Sequence, residues 1–85
     1  MGTLIINEVF TIVGIGVVVV ARIIDGMIRE GDEIIIGNKA AKVKSIEKKH
    51  KRMKYAVENE LVGISLQGVN KFDIKRGMKY TFRKG

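Results

Sequence analysis

The sequence has no cysteine, no proline and no tryptophan in 85 residues. Without cysteine there is no disulfide framework, no thiolate metal site and no cysteine nucleophile. The single histidine, His50, has no cysteine to share a zinc site with, and its neighbours are basic, so it reads as a solvated loop residue. Long hydrophobic runs are also missing. The longest, Ile12 to Ala21, has ten residues, contains Gly14 and Gly16 and stops at Arg22, well short of the ~20 that a spanning helix needs. No basic segment precedes it and the first charge is Glu8, which is unlike a signal peptide. Cytoplasm without membrane contact is the expectation. No G-x-x-x-x-G-K-S/T occurs anywhere, so a P-loop for GTP is lacking. Gly14-Ile15-Gly16 falls between two predicted strands, opens no helix, and reads as a turn. Domains usually run to ~100–200 residues, which leaves room here for one, spanning residues 1–85. A chain this short buries only a little over ~60% of the surface it exposes when unfolded, enough for one small core without a deep substrate cavity.

What the sequence has in abundance is β-branched. Ile and Val total 23, against 3 Leu and 4 Ala, and 46% of residues are hydrophobic. That excludes a disordered chain and favours strands, where branched side chains pack on a pleated surface. The net charge is +7, which suggests an anionic partner, nucleic acid first and a membrane surface second. The charge is unevenly spread. Residues 1–38 balance to −3, and residues 39–55 to +7, with Lys39, Lys42, Lys44, Lys48, Lys49, Lys51, Arg52 and Lys54 opposed only by Glu47. Residues 56–70 contribute −2, and residues 71–85 contribute +5.

Strands are expected at Leu4–Val13, Val17–Ile24, Glu33–Ile36, Ala40–Glu47, Leu61–Gln67 and Met78–Phe82. Asp25-Gly26, Gly31-Asp32 and Gly37-Asn38 are turn signals between them. Lys48–Tyr55 has no apolar period and is expected to be a mobile loop or a hairpin tip. Six or seven short strands with glycine turns every 8–12 residues predict an all-β chain, a small closed β-barrel.

The segment Val9-Phe10-Thr11-Ile12-Val13-Gly14-Ile15-Gly16-Val17-Val18-Val19-Val20-Ala21-Arg22-Ile23 resembles the pattern V-F-x-I-x-G-x-G-x-V-x-x-G-R-V. That pattern opens the second domain of translational GTPases, the β-barrel of elongation factor Tu and its archaeal and eukaryotic counterparts. Further blocks follow in the family's order: Gly26 to Ile34, Val43-Lys44-Ser45-Ile46-Glu47, Val62 to Val69, and Asp73-Ile74-Lys75-Arg76-Gly77. The resemblance covers about Val9 to Met78. It implies the same barrel and a place in translation; with no P-loop in the chain, no cofactor is expected.

In elongation factors this barrel helps to hold the aminoacylated 3′ end of tRNA. By resemblance, Ile12 and Val18 match apolar residues that flank the terminal adenine, and Glu47 matches an acid that contacts the terminal ribose and base. Other positions depart from the family: Leu61 stands in place of Asn, Ser65 in place of Leu, Gln67 in place of Arg, and Ala21 in place of Gly. The resemblance therefore implies the adenosine half of the pocket more than the aminoacyl half. Plainer readings stand beside it. Apolar alternation alone places Ile12 and Val18 in the barrel core, and Glu47 among cations reads as a surface ion pair with Lys49 or Lys44.

For RNA, the candidate contacts are Lys42, Lys44, Lys48, Lys49, Lys51, Arg52, Lys54 and Arg76, with Tyr55, Phe72 and Tyr80 as stacking partners of bases or equally as core or rim aromatics. The expectation is a stand-alone, translation-factor-like barrel that binds tRNA or ribosomal RNA, is not an enzyme and has no GTPase activity of its own. The alternative is a module that docks onto a GTPase domain, a ribosomal protein or itself, through the acidic and apolar first half. A triad written on paper from Ser45, His50 and Asp73 has no supporting motif.

Overall fold

The computed structural model describes residues 1–85. Nine strands form, β1 (Gly2–Ile12), β2 (Gly16–Asp25), β3 (Met27–Arg29), β4 (Glu33–Ile36), β5 (Lys39–Lys48), β6 (Lys51–Met53), β7 (Tyr55–Val57), β8 (Leu61–Gln67) and β9 (Lys79–Arg83), with one short 3-10 turn, η1 (Lys71–Asp73). The main sheet runs β4-β9-β1-β2-β8-β5-β6, and β4 also pairs with β5. That last pairing closes six strands into the expected barrel and leaves β6 as an added strand on β5. Every pairing is antiparallel.

The core follows the period of two that a strand imposes. Leu4 and Ile6 of β1, Val17, Val19, Ala21 and Ile23 of β2, Ile34 and Ile36 of β4, Val62, Ile64 and Leu66 of β8, and Phe82 of β9 all point inward and are buried. Ile74, just after η1, joins them. At about 25 cal/mol per Å² of apolar surface, this interior is what holds so short a chain together.

Bulges decide which residues reach the outside. In β1, Ile6 pairs with Ala21 but Glu8 pairs with Val20, so Asn7 is an extra residue. An extra residue reverses the inside–outside alternation beyond it. Glu8, Phe10 and Ile12 consequently join the outer face, where strict alternation with Leu4 and Ile6 would have turned them inward. In β5, Val43 pairs with Leu66 and Ser45 with Ser65, so Lys44 is extra and Ser45 and Glu47 also face outward. The expectation that Ile12 and Val18 belong to the core is thus corrected. Val18 sits on the outer face of β2 between buried neighbours, and Ile12 is 37% exposed.

Lys48–Tyr55 takes the hairpin form, one of its two expected alternatives, with Lys48 paired to Lys51 around a turn at Lys49 (φ 51°) and His50 (φ 66°). Positive φ at both central residues is the two-residue turn whose twist matches antiparallel strands. The loop between Gly26 and Gly31 holds β3, which pairs with β7 in a small second sheet. The closing strand β9 begins at Lys79, while the Met78 carbonyl still accepts from the Ile6 amide. No helix is long and apolar enough to cross a membrane.

Candidate functional site

The outer face of β2, β8 and β5 carries two cross-strand rows. Phe10, Val18, Ser65 and Ser45 form one, and Glu8, Val20, Gly63 and Glu47 form the other. Facing residues in such rows have their Cβ atoms about 4.5–5.5 Å apart. Gly63 has no side chain, so the second row has a gap between Val20 and Glu47. A hollow of about 130 Å³ opens there, floored by Gly63, Ser65 and Ser45, walled by Val18 and Glu47, and overhung by Ile12 and Ile15 of the β1–β2 hairpin. A shallower depression of about 670 Å³ adjoins it and shares Ile12, Val18, Glu47 and Gly63. Phe10, Val20 and Leu61 extend its apolar side, and Lys49 and His50 of the β5–β6 turn stand at its rim.

The structure therefore brings Ile12, Val18 and Glu47 together around one space. The polar floor is satisfied internally, since the Ser45 and Ser65 hydroxyls share a hydrogen bond of 2.6 Å. Glu47 is different. Its carboxylate makes no hydrogen bond and no ion pair, although Arg52 faces it directly across β5 and β6. Arg52 is turned instead to Glu30, with Nε donating to Oε2 at 2.8 Å. That hydrogen bond, the Glu30 charge behind it and a weaker pull from Glu47 hold the guanidinium still more firmly protonated than usual. The expected pairing of Glu47 with Lys49 or Lys44 does not form. Glu47 is exposed and without a protein partner, at the edge of a hollow whose apolar lining is Ile12, Ile15 and Val18.

The candidate RNA-contacting cations divide into two groups. Lys42, Lys44, Lys49, Lys51 and Lys54 are exposed and have no acidic partner. Lys48 is bonded to Glu60, Arg52 to Glu30, and Arg76 to Glu8 at 3.5 Å. Arg76 belongs elsewhere, because its partner Glu8 lies on β1, with β2 and β8 between it and β5. Among the aromatics, Tyr80 is half-buried and its hydroxyl accepts from the Lys75 amide, while Tyr55 and Phe72 are exposed.

Ser45, His50 and Asp73 do not form a triad. Ser45 is bonded to Ser65, and Asp73 accepts from the Asn70 amide and from Lys39. No group of three or more His, Asp or Glu side chains is placed to hold a metal ion. Reasoning from the sequence missed Gly63, the hydroxyl pair and the overhang of Ile15. A glycine inside a strand is the one signal that was present, since it marks a place where something approaches the backbone closely.

The architecture is a β-barrel of the kind found in translation elongation factors. Over 93% of this chain and 18% of the other, the fold matches translation elongation factor SelB from Methanococcus maripaludis in its apo form, with a TM-score of 0.82 and 30% identity. It matches a bacterial selenocysteine-specific elongation factor with the same TM-score of 0.82 at 22% identity, which is a likeness of fold alone. In sequence, 85% of the chain is 40% identical to elongation factor 1-alpha of Pyrobaculum calidifontis, and the same share is 41% identical to that of Picrophilus torridus. Residues 16–81 match the family described as elongation factor Tu domain 2, and the chain belongs to that family. It spans only 17–18% of the length of these elongation factors 1-alpha.

Proposed function

We propose that this barrel binds RNA in translation, taking the unpaired 3′ end of a tRNA-like molecule into the Glu47 hollow and the adjoining backbone onto the free lysines of β5 and of the segment 49–54. The observation that carries the reading is the unpartnered Glu47 carboxylate, set against Ile12 and Val18 with Lys49 at the rim. A terminal nucleoside matches that arrangement: the base lies against the apolar wall and a ribose hydroxyl donates to Glu47. Such a charged hydrogen bond is worth about 1.5–3 kcal/mol, so the site alone is weak. Lys42, Lys44, Lys49, Lys51 and Lys54 supply the rest by neutralising phosphates. Guanine-nucleotide chemistry is assigned to none of these residues, because the chain has no P-loop. Work in the cytoplasm, beside the ribosome, fits this role.

One observation favours a second reading. The β1–β2 hairpin carries Phe10, Ile12, Val13 and Ile15 at its exposed end, with Val13 99% exposed, a patch that a GTPase domain or ribosomal protein could cover. A salt titration separates the two. Binding of a CCA-ended RNA hairpin through five lysines should weaken steeply, with log K falling against log salt at a slope of roughly −0.7 per single-strand phosphate contact. A flat salt dependence, or no RNA binding at low salt, contradicts the RNA reading and favours protein docking.

A further inference from the structure

We propose that Phe72 is a stacking platform for an unpaired nucleobase, with Lys71 and Lys75 receiving the flanking phosphates, at a second contact outside the Glu47 hollow. This rests on the reading of the barrel as an RNA-binding module.

Phe72 is 84% exposed, yet its backbone is firmly held. Its amide donates to Asn70 Oδ1 at 2.9 Å, and Asp73 Oδ2 accepts from the Asn70 amide at 2.9 Å, so both halves of a capping box are present around η1. Asp73 also accepts from Lys39 Nζ at 2.9 Å, tying the turn to the start of β5. Two residues after Phe72, Ile74 is anchored in the core. The ring is thus presented to water by a turn pinned on both sides, a position in which core packing gains nothing from an aromatic side chain.

The surroundings select an anionic, flat occupant. Lys71 Nζ lies 5.4 Å from the ring centroid on one face, which leaves the other face for a base. Asp73 is the only acid in residues 70–85, and Lys39 already occupies it. Lys71 and Lys75 are exposed and have no acidic partner. Base–aromatic stacking beside phosphate-neutralising lysines is the way single strands are held without sequence preference. The turn leads into β9, which pairs with β1, whereas the hollow lies across β2, β8 and β5. None of Lys71, Phe72 and Lys75 lines the hollow or the depression beside it, so the two contacts are separate and the platform needs no terminal adenosine.

Phe72→Trp gives the chain its only tryptophan and so a local reporter. On titration with a short oligouridylate that has no CCA end, its emission should be quenched saturably, in step with binding read by anisotropy of the labelled RNA. Phe72→Ala should weaken that RNA by roughly 5- to 150-fold. Its salt slope and its thermal midpoint should match those of the parent, since the substitution removes no cation and nothing from the core. If the parent binds, a Lys49→Glu, Lys51→Glu, Lys54→Glu variant weakens and Phe72→Ala does not, the platform is refuted while the RNA reading stands. If the parent binds no RNA at low salt, both fall. A Phe72→Trp emission that responds to phosphatidylserine vesicles and not to the oligonucleotide assigns the ring to a lipid surface and overturns the RNA platform.

Discussion

Gly63 is where stability and function should pull in opposite directions. It lies in the middle of β8, on the outer face, between Val20 and Glu47. A Cβ built there meets nothing nearer than the Glu47 carbonyl oxygen at 3.9 Å, an ordinary contact, and the backbone is not in the left-handed region. Glycine within a strand costs about 0.5–1 kcal/mol relative to alanine, through the freedom it loses on folding. Gly63→Ala should recover that amount, and Gly63→Val should add a cross-strand contact with Val20 worth about 0.2–1 kcal/mol. For a domain of this size each kcal/mol moves the midpoint by about 4–8 °C, so Gly63→Val should melt several degrees higher in a thermal scan followed by circular dichroism. The same side chain stands in the floor of both depressions beside Glu47. It should abolish any preference for an RNA ending in CCA over the same RNA lacking the terminal adenosine, and leave the salt-dependent part of the affinity intact. A lower midpoint would refute the reading of Gly63 as sterically free. A preserved preference would refute the hollow as the binding site.

Reversal of Lys49, Lys51 and Lys54 to Glu should weaken RNA binding broadly and reduce the salt slope by roughly 0.7 for each single-strand phosphate no longer neutralised; equal binding of a panel of RNAs by variant and parent would make the hairpin a solvated face only. Acid should destabilise the barrel through Asp73 and Glu60. Hydrogen bonding from the Asn70 amide, then from Lys39, holds Asp73 below its usual pKa, and Lys48, then the Val57 amide, does the same for Glu60. A carboxyl whose folded pKa is lowered stabilises the fold above its unfolded value and loses that contribution as pH falls through the folded one. Urea midpoints should therefore hold level from neutral pH to about 5 and decline below the ordinary carboxylate range near 4. The decline should be modest because solvent screens both groups, and shallower in an Asp73→Asn, Glu60→Gln variant; an unchanged acid limb in that variant would contradict the assignment.

The long strands were legible because β-branched residues and glycine turns state them locally. Glu33–Ile36 and Leu61–Gln67 fall on their expected residues, and β2 and β5 gain only a residue or two at their ends. The facing of β1 was not legible. Nothing in the side chains around Asn7 announces a bulge, and one extra residue is enough to turn Ile12 from core to site. The pair β3 and β7 escaped notice because three-residue strands carry no period and meet only through the fold. The turn at Lys49 and His50 lacks the Asn-Gly signature of its type. At the site, Ile12, Val18 and Glu47 were joined by family resemblance, not by any spacing in the chain. That Glu47 is free is a tertiary fact, set by Glu30 holding Arg52 from another loop.

The central claim is that the Glu47 carboxylate receives a terminal nucleoside. Its most direct test is Glu47→Gln, with affinities measured for an RNA ending in CCA and for the same RNA shortened by its terminal adenosine. The variant keeps the side-chain shape and removes no cation, so the salt slope should stay nearly unchanged. Gln still accepts from the ribose hydroxyl, so exchanging a charged hydrogen bond of about 1.5–3 kcal/mol for a neutral one of about 0.5–1.5 kcal/mol predicts roughly 5- to 10-fold weaker binding of the CCA-ended RNA, with the shortened RNA nearly unaffected. An equal effect on both RNAs, or none on either, would contradict the claim and leave a basic barrel that reads no 3′ end.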